Sequence, residues 1–93
     1  MPKIKNVERK IWEVEGFAVR FLYRDGTDVR GDKTGLPQYP YERAAGSDIT
    51  VEAWKQARFR QTYRGYDVDV VDGYNGSVQG NTKLATVRRS YEE

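Results

Sequence analysis

Hydrophobic and polar positions alternate along the early chain, but not in one phase. Between Lys10 and Arg24, Trp12 and Val14 share one parity, whereas Phe17, Val19, Phe21 and Tyr23 share the other. A one-residue slip sends strand side chains to the wrong face, so a turn or bulge must absorb it at Glu15-Gly16, with Gly16 at positive φ. Asp25-Gly26 then supplies a strong hairpin signal between two extended runs. The pattern predicts strands at about 9–15, 17–24 and 27–31, forming an antiparallel meander.

Residues 32–48 contain Gly35, Pro37, Pro40 and Gly46 with few aliphatics, and read as one long loop. Loops beyond ~12–15 residues tend to be functional or disordered. Tyr39 and Tyr41 either fold back onto the core or face solvent and, with Arg43, dock on a partner.

The segment Thr50–Tyr63 has helical character. Thr50 or Asp48 is an N-cap, Glu52 sits in the first turn, Arg60 and Arg64 lie at the far end, and Gly65 supplies the stop. Trp54 is the expected anchor, and Phe59 and Tyr63 form an i, i+4 pair on another side. Tyr66–Val71 alternates cleanly, with Tyr66, Val68 and Val70 inward and Asp67 and Asp69 outward. Turn dipeptides come next at Asp72-Gly73, Asn75-Gly76 and Gly80-Asn81, and 82–91 reads as a closing strand. The expected fold is α+β: a single domain over 1–93, with an antiparallel sheet of about five strands and one helix packed on one face, in the order β-β-β-α-β-β. Trp12, Phe17, Val19, Phe21, Trp54, Tyr66, Val68, Val70 and Val87 form the expected core. An unpaired edge at 27–31 or 82–91 would suit a homodimer.

Composition sharpens this picture. Leu, Ile, Val and Phe make only 19 of 93 residues, but twelve aromatics supply the missing bulk. The net charge of +2 is too small to favour disorder. It is unevenly spread: residues 1–24 and 51–66 each carry +3, whereas 25–50 and 67–93 each carry −2. Met1–Asn6 lacks the apolar region of a secretory signal, and no apolar run approaches the ~20 residues of a membrane span. With no cysteine, a cytoplasmic protein without membrane contact is expected.

The chain has neither His nor Cys. That removes disulfides, thiolate and imidazole metal sites, Cys nucleophiles and every histidine base. No Gly-x-Ser-x-Gly elbow and no phosphate loop is present, so no catalytic residue, no cofactor and no enzymatic activity are expected. Asp69, Asp72 and Asn75 are spaced by threes, which fits a strand running into a hairpin turn rather than a calcium loop; a weak metal site there is the other alternative.

Two functional expectations remain. The first is a non-catalytic protein-interaction module, of the kind found among small accessory proteins of bacteria and their phages, binding through Tyr39, Tyr41 and Arg43. The second is a nucleic-acid-binding domain. It would use a basic-aromatic surface formed by Arg58, Arg60, Tyr63 and Arg64 at the helix end and by Arg88, Arg89 and Tyr91 on the last strand. Tyr74, with Tyr91, is a further tyrosine left outside the expected core.

Overall fold

The computed structural model describes residues 3–29 and 33–92. Its first element is a helix, α1 (Ile4–Glu15), where a strand at 9–15 was expected. Ile4, Val7, Ile11 and Glu15 are spaced i, i+3, i+7, i+11 and form the buried stripe of that helix. The Trp12/Val14 alternation is incidental, because Trp12 lies on the outer side. Gly16 does adopt positive φ, at 82°, but as the left-handed C-cap of α1 rather than as a bulge.

Strand β1 (Ala18–Tyr23) comes next, and pairs antiparallel with β2 (Tyr66–Val71). The register sets Phe21 against Val68 and Arg20 against Asp69. Val19, Phe21, Val68 and Val70 are buried, while Arg20 and Asp69 form an ion pair of 3.8 Å outside the core. The Asp25-Gly26 turn is present, with Gly26 at φ 90°. Its returning arm makes only an isolated bridge between Leu22 and Asp28, and the Val29 N–H donates to Phe21 O at 3.0 Å. Residues 30 and 31 of the expected third strand lie outside the described ones.

From 33 to 49 the chain has no helix or strand. Thr50 then caps α2 (Val51–Trp54), its side chain accepting from the Ala53 N–H at 3.2 Å. The helix continues as a π-helical turn, Lys55–Phe59, in which the Arg60 N–H donates to Lys55 O at 2.7 Å. One extra residue in the turn rotates the downstream side chains by about 100°. Phe59 and Tyr63, predicted on a different side from Trp54, are thereby brought round to the core with it. Phe21 packs edge-on against both rings, at centroid distances of 4.9 and 5.0 Å.

The expected closing strand at 82–91 is a helix, α3 (Leu84–Arg89). Leu84 and Val87 are buried and Tyr91 continues the same side, a spacing of three and four that suits a helix. The sheet therefore has two strands rather than about five, with three helices around it, although the α+β class holds. The edge strand that 82–91 would have offered a second copy does not form. On β1 the Phe21 N–H is capped by the Glu8 carboxylate at 2.9 Å. Among the described residues no helix is long and apolar enough to cross a membrane.

Candidate functional sites

A charged residue on the buried stripe of α1 organises the centre of the molecule. Glu15 is 1 % exposed, and both carboxylate oxygens are occupied. Oε1 accepts from the Ala45 N–H at 2.8 Å and from Arg88 Nη2 at 3.3 Å. Oε2 accepts from the Tyr39 hydroxyl at 2.6 Å and from Arg58 Nη1 at 2.7 Å. Arg88 also donates from Nε to the Glu15 carbonyl at 2.6 Å and from Nη1 to Ser47 Oγ at 2.9 Å. Trp54 Nε1 donates to the Tyr39 oxygen at 3.1 Å. Such a buried carboxylate is tolerable only because both oxygens have donors, two of them charged. Burial, reinforced by the bond to Glu15, pushes the Tyr39 hydroxyl well above the ordinary tyrosine range.

Three of the sequence-predicted site residues are thus committed to this cluster: Tyr39, Arg58 and Arg88. Tyr39 is 2 % exposed and offers no surface ring. Tyr41 is half-buried, with the Arg58 guanidinium 4.4 Å above its ring. Arg43 is exposed, and its carbonyl accepts from Arg58 Nη1 at 2.5 Å. Of the two readings of the loop, the tyrosines have folded back.

A second group forms where the helix begun by α2 ends. The helix expected to run to Tyr63 ends at Phe59, and Arg60, Tyr63 and Arg64 come together in the turns that follow; Arg24, from the turn after β1, joins them in lining a cavity of about 410 Å³. Tyr66 and Asp67, at the start of β2, line it too. Arg60 Nη1 donates to Glu52 Oε1 at 2.7 Å, and that bond holds the Glu52 carboxyl below its usual range. Among the described residues, Arg24 and Arg64 have no ion-pair partner. The Tyr63 hydroxyl is buried and has no hydrogen-bond partner, and burial pushes its pKa up.

The third region lies around α3. Trp12, expected in the core, is 44 % exposed and packs edge-on against Tyr91 at 4.9 Å. The Tyr91 oxygen accepts from the Ala18 N–H at 2.9 Å and donates to Val71 O, bridging the end of the β1–β2 pair. Next to Tyr91, Gly73 sits so close to α3 that a Cβ would collide with the Ser90 carbonyl. Its N–H donates to Ser90 Oγ at 2.8 Å. Tyr74, one residue on, is 81 % exposed beside a groove of about 350 Å³ whose lining includes Val78, Thr82, Thr86 and Val87. Arg89 is exposed on α3.

The seven basic-aromatic residues therefore do not share one surface. Arg58 and Arg88 face Glu15; Arg60, Tyr63 and Arg64 share a cavity; Arg89 and Tyr91 belong to α3 and its end. Sequence reasoning missed Arg24 and Trp12 as site residues and Glu15 as the organising group. The one signal for Glu15 was its place on the 4–7–11–15 stripe. The Asp69–Asn75 segment serves as a turn: Asp72 Oδ1 accepts from the Tyr74 and Gly76 N–H groups at 2.8 and 2.9 Å. Asp69 Oδ2 accepts from Ser77 Oγ at 2.7 Å, and no group of three acidic residues suited to a metal occurs among the described residues.

Comparison of the chain with protein-family models, with curated proteins and with solved structures gives no match.

Proposed function

We propose that the protein is a non-catalytic protein-interaction module whose partner docks on the face formed by Trp12, Tyr91 and Tyr74, placing an apolar side chain in the groove beside α3. The observation that carries this proposal is the display of Tyr74. Its ring stands in solvent on a turn fixed by Asp72 from within and by Gly73 against Ser90 from outside. A rigidly presented aromatic loses little freedom on binding, and Tyr and Trp are the residues enriched at interface hot spots. Trp12, half-exposed on the outside of α1, packs against Tyr91, which follows the groove-lining Ser90 in the chain.

The non-catalytic part rests on the missing His and Cys, and on a buried carboxylate whose oxygens are both engaged by structural donors. A cytoplasmic setting goes with it, on the absence of cysteine. Nucleic-acid binding through the whole basic-aromatic set has less support, because Arg58 and Arg88 are turned to Glu15.

The test is a pull-down from the native host, followed by reconstitution with the purified protein it captures. Wild type and Arg43→Ala are expected to retain that partner, and Trp12→Ala and Tyr74→Ala to lose it. Equal retention by all four chains would overturn the proposal.

A further inference from the structure

The cavity at the end of the central helix is independent of the docking face and shares no lining residue with the groove beside α3. Arg60 is the C-cap of the π-helical turn and Arg64 follows it in the turns just beyond, near the end where cations are favoured, so their presence there has a local cause. Arg24 does not: it arrives from the turn after β1 and brings a third guanidinium to the same space. Asp67 is the only carboxylate in the lining, 3.9 Å from Arg60, which Glu52 also holds, so Arg24 and Arg64 supply the positive charge without an ion-pair partner among the described residues. A phosphate monoester carries about −1.5 to −2 near neutral pH, and guanidinium groups match its oxygens bidentately.

The cavity is larger than one ion requires; about 410 Å³ falls within the ~300–1,000 Å³ typical of small-molecule sites. Tyr66 lines it, and Tyr23, exposed at the end of β1, lies against Tyr66 with ring centroids 5.9 Å apart. Aromatic rings beside arginines are the combination that stacks a base while holding its phosphate. Tyr63 forms part of the wall, and its hydroxyl is the one buried side-chain polar atom among the described residues without a partner. Buried polar groups ordinarily have one.

We propose that this cavity binds a mononucleotide, its phosphate held by Arg24 and Arg64 and its base against Tyr66 and Tyr23. Arg60 is fixed by Glu52, so Arg24 and Arg64 are the arginines that turn to the ligand.

Titration calorimetry at about 50 mM salt, with adenosine monophosphate, inorganic phosphate and adenosine as probes, tests this directly. The monophosphate is expected to bind saturably, to be displaced by phosphate, and to bind at least about tenfold tighter than either phosphate or adenosine. Arg24→Ala and Arg64→Ala change exposed side chains; each should keep the wild-type melting temperature and weaken the monophosphate about tenfold or more. Absence of saturable binding, equal affinity for phosphate and monophosphate, or undiminished binding by both arginine variants would overturn the proposal. So would a single-stranded oligonucleotide that binds without being displaced by the monophosphate, since recognition would then lie on an extended surface.

Discussion

Glu15 and Arg58, 43 residues apart in the chain, meet at 2.7 Å with the carboxylate wholly buried. The pair joins the end of α1 to the π-helical turn, and Arg88, Tyr39 and Ala45 bring α3 and the long loop to the same two oxygens. One side chain thus fixes the relative positions of four segments, among them a loop with no regular structure of its own.

Replacing Glu15 by Gln leaves two guanidiniums facing a neutral amide whose NH₂ end cannot accept. Breaking a buried, hydrogen-bonded ion pair by removing one partner costs about 3–5 kcal/mol. Urea denaturation of Glu15→Gln should show a loss of this size; a loss below about 1 kcal/mol would mean that the loop can satisfy the arginines in another way.

The two tryptophans should separate stability from binding. Trp54 is fully buried, packs edge-on against Phe17 at 5.0 Å and donates to Tyr39. Trp54→Ala should cost about 3–5 kcal/mol. Trp12→Ala, on a half-exposed face, should cost less than about 1 kcal/mol while abolishing partner capture. Thermal melts alongside the pull-down read both effects.

Glu8 supplies a pH signature. Its carboxylate accepts from the Phe21 N–H, yet burial outweighs that bond and raises its pKa above the ordinary 4.5. The folded state therefore binds this proton more tightly than the unfolded chain, and the group's contribution to stability grows as pH falls from neutral through the raised value towards 4.5. Glutamine keeps the acceptor without the charge. Glu8→Gln should melt higher than wild type near pH ~7, and the difference should shrink by pH ~4. A constant difference would trace the effect to something other than titration.

The π-helical turn makes the length of the 55–59 segment matter more than its composition. Ala57 is exposed, so its side chain contributes little to the core. Adding a second alanine beside it would exceed the one residue that the π turn absorbs and swing Phe59 and Tyr63 about 100° away from Phe21, whereas deleting Ala57 would leave an ordinary α-helical turn with both rings still on the core side. In urea denaturation the insertion is expected to cost about 3 kcal/mol or more, comparable to truncating a core aromatic, and the deletion clearly less. Ala57→Gly should cost only about 1 kcal/mol.

Local chemistry was readable along the chain. Gly16, Gly26 and Thr50 each take the conformation or cap that their residue type favours, and the alternation of Tyr66–Val71 marks a real strand. The errors arose where two periods compete. Trp12 and Val14 alternate, but Ile4, Val7 and Ile11 fix α1; β-branched residues at 82–87 suggest a strand, but Leu84, Val87 and Tyr91 fall at helical spacing. The π-turn has no compositional mark, so the side on which Phe59 and Tyr63 lie could not be read. Nor could the arginines be sorted. Which of them meets Glu15 and which lines the cavity depends on contacts between segments distant in sequence, and Arg24 enters only through tertiary packing.

The reach of Tyr91 bears on how the protein is made. Its hydroxyl forms the last rung between β1 and β2, 73 residues after Ala18, and Arg88 closes onto Glu15 across the same interval. At a synthesis rate of roughly 5–20 residues per second, the α1–β1 corner waits on the order of 4–15 s for the groups that seal it. During that interval the emerging chain carries an unsealed strand and a central glutamate with at most one of its two arginines, Arg58. The protein should therefore acquire its fold in one late step, once residue 91 has cleared the ribosome, rather than element by element during translation.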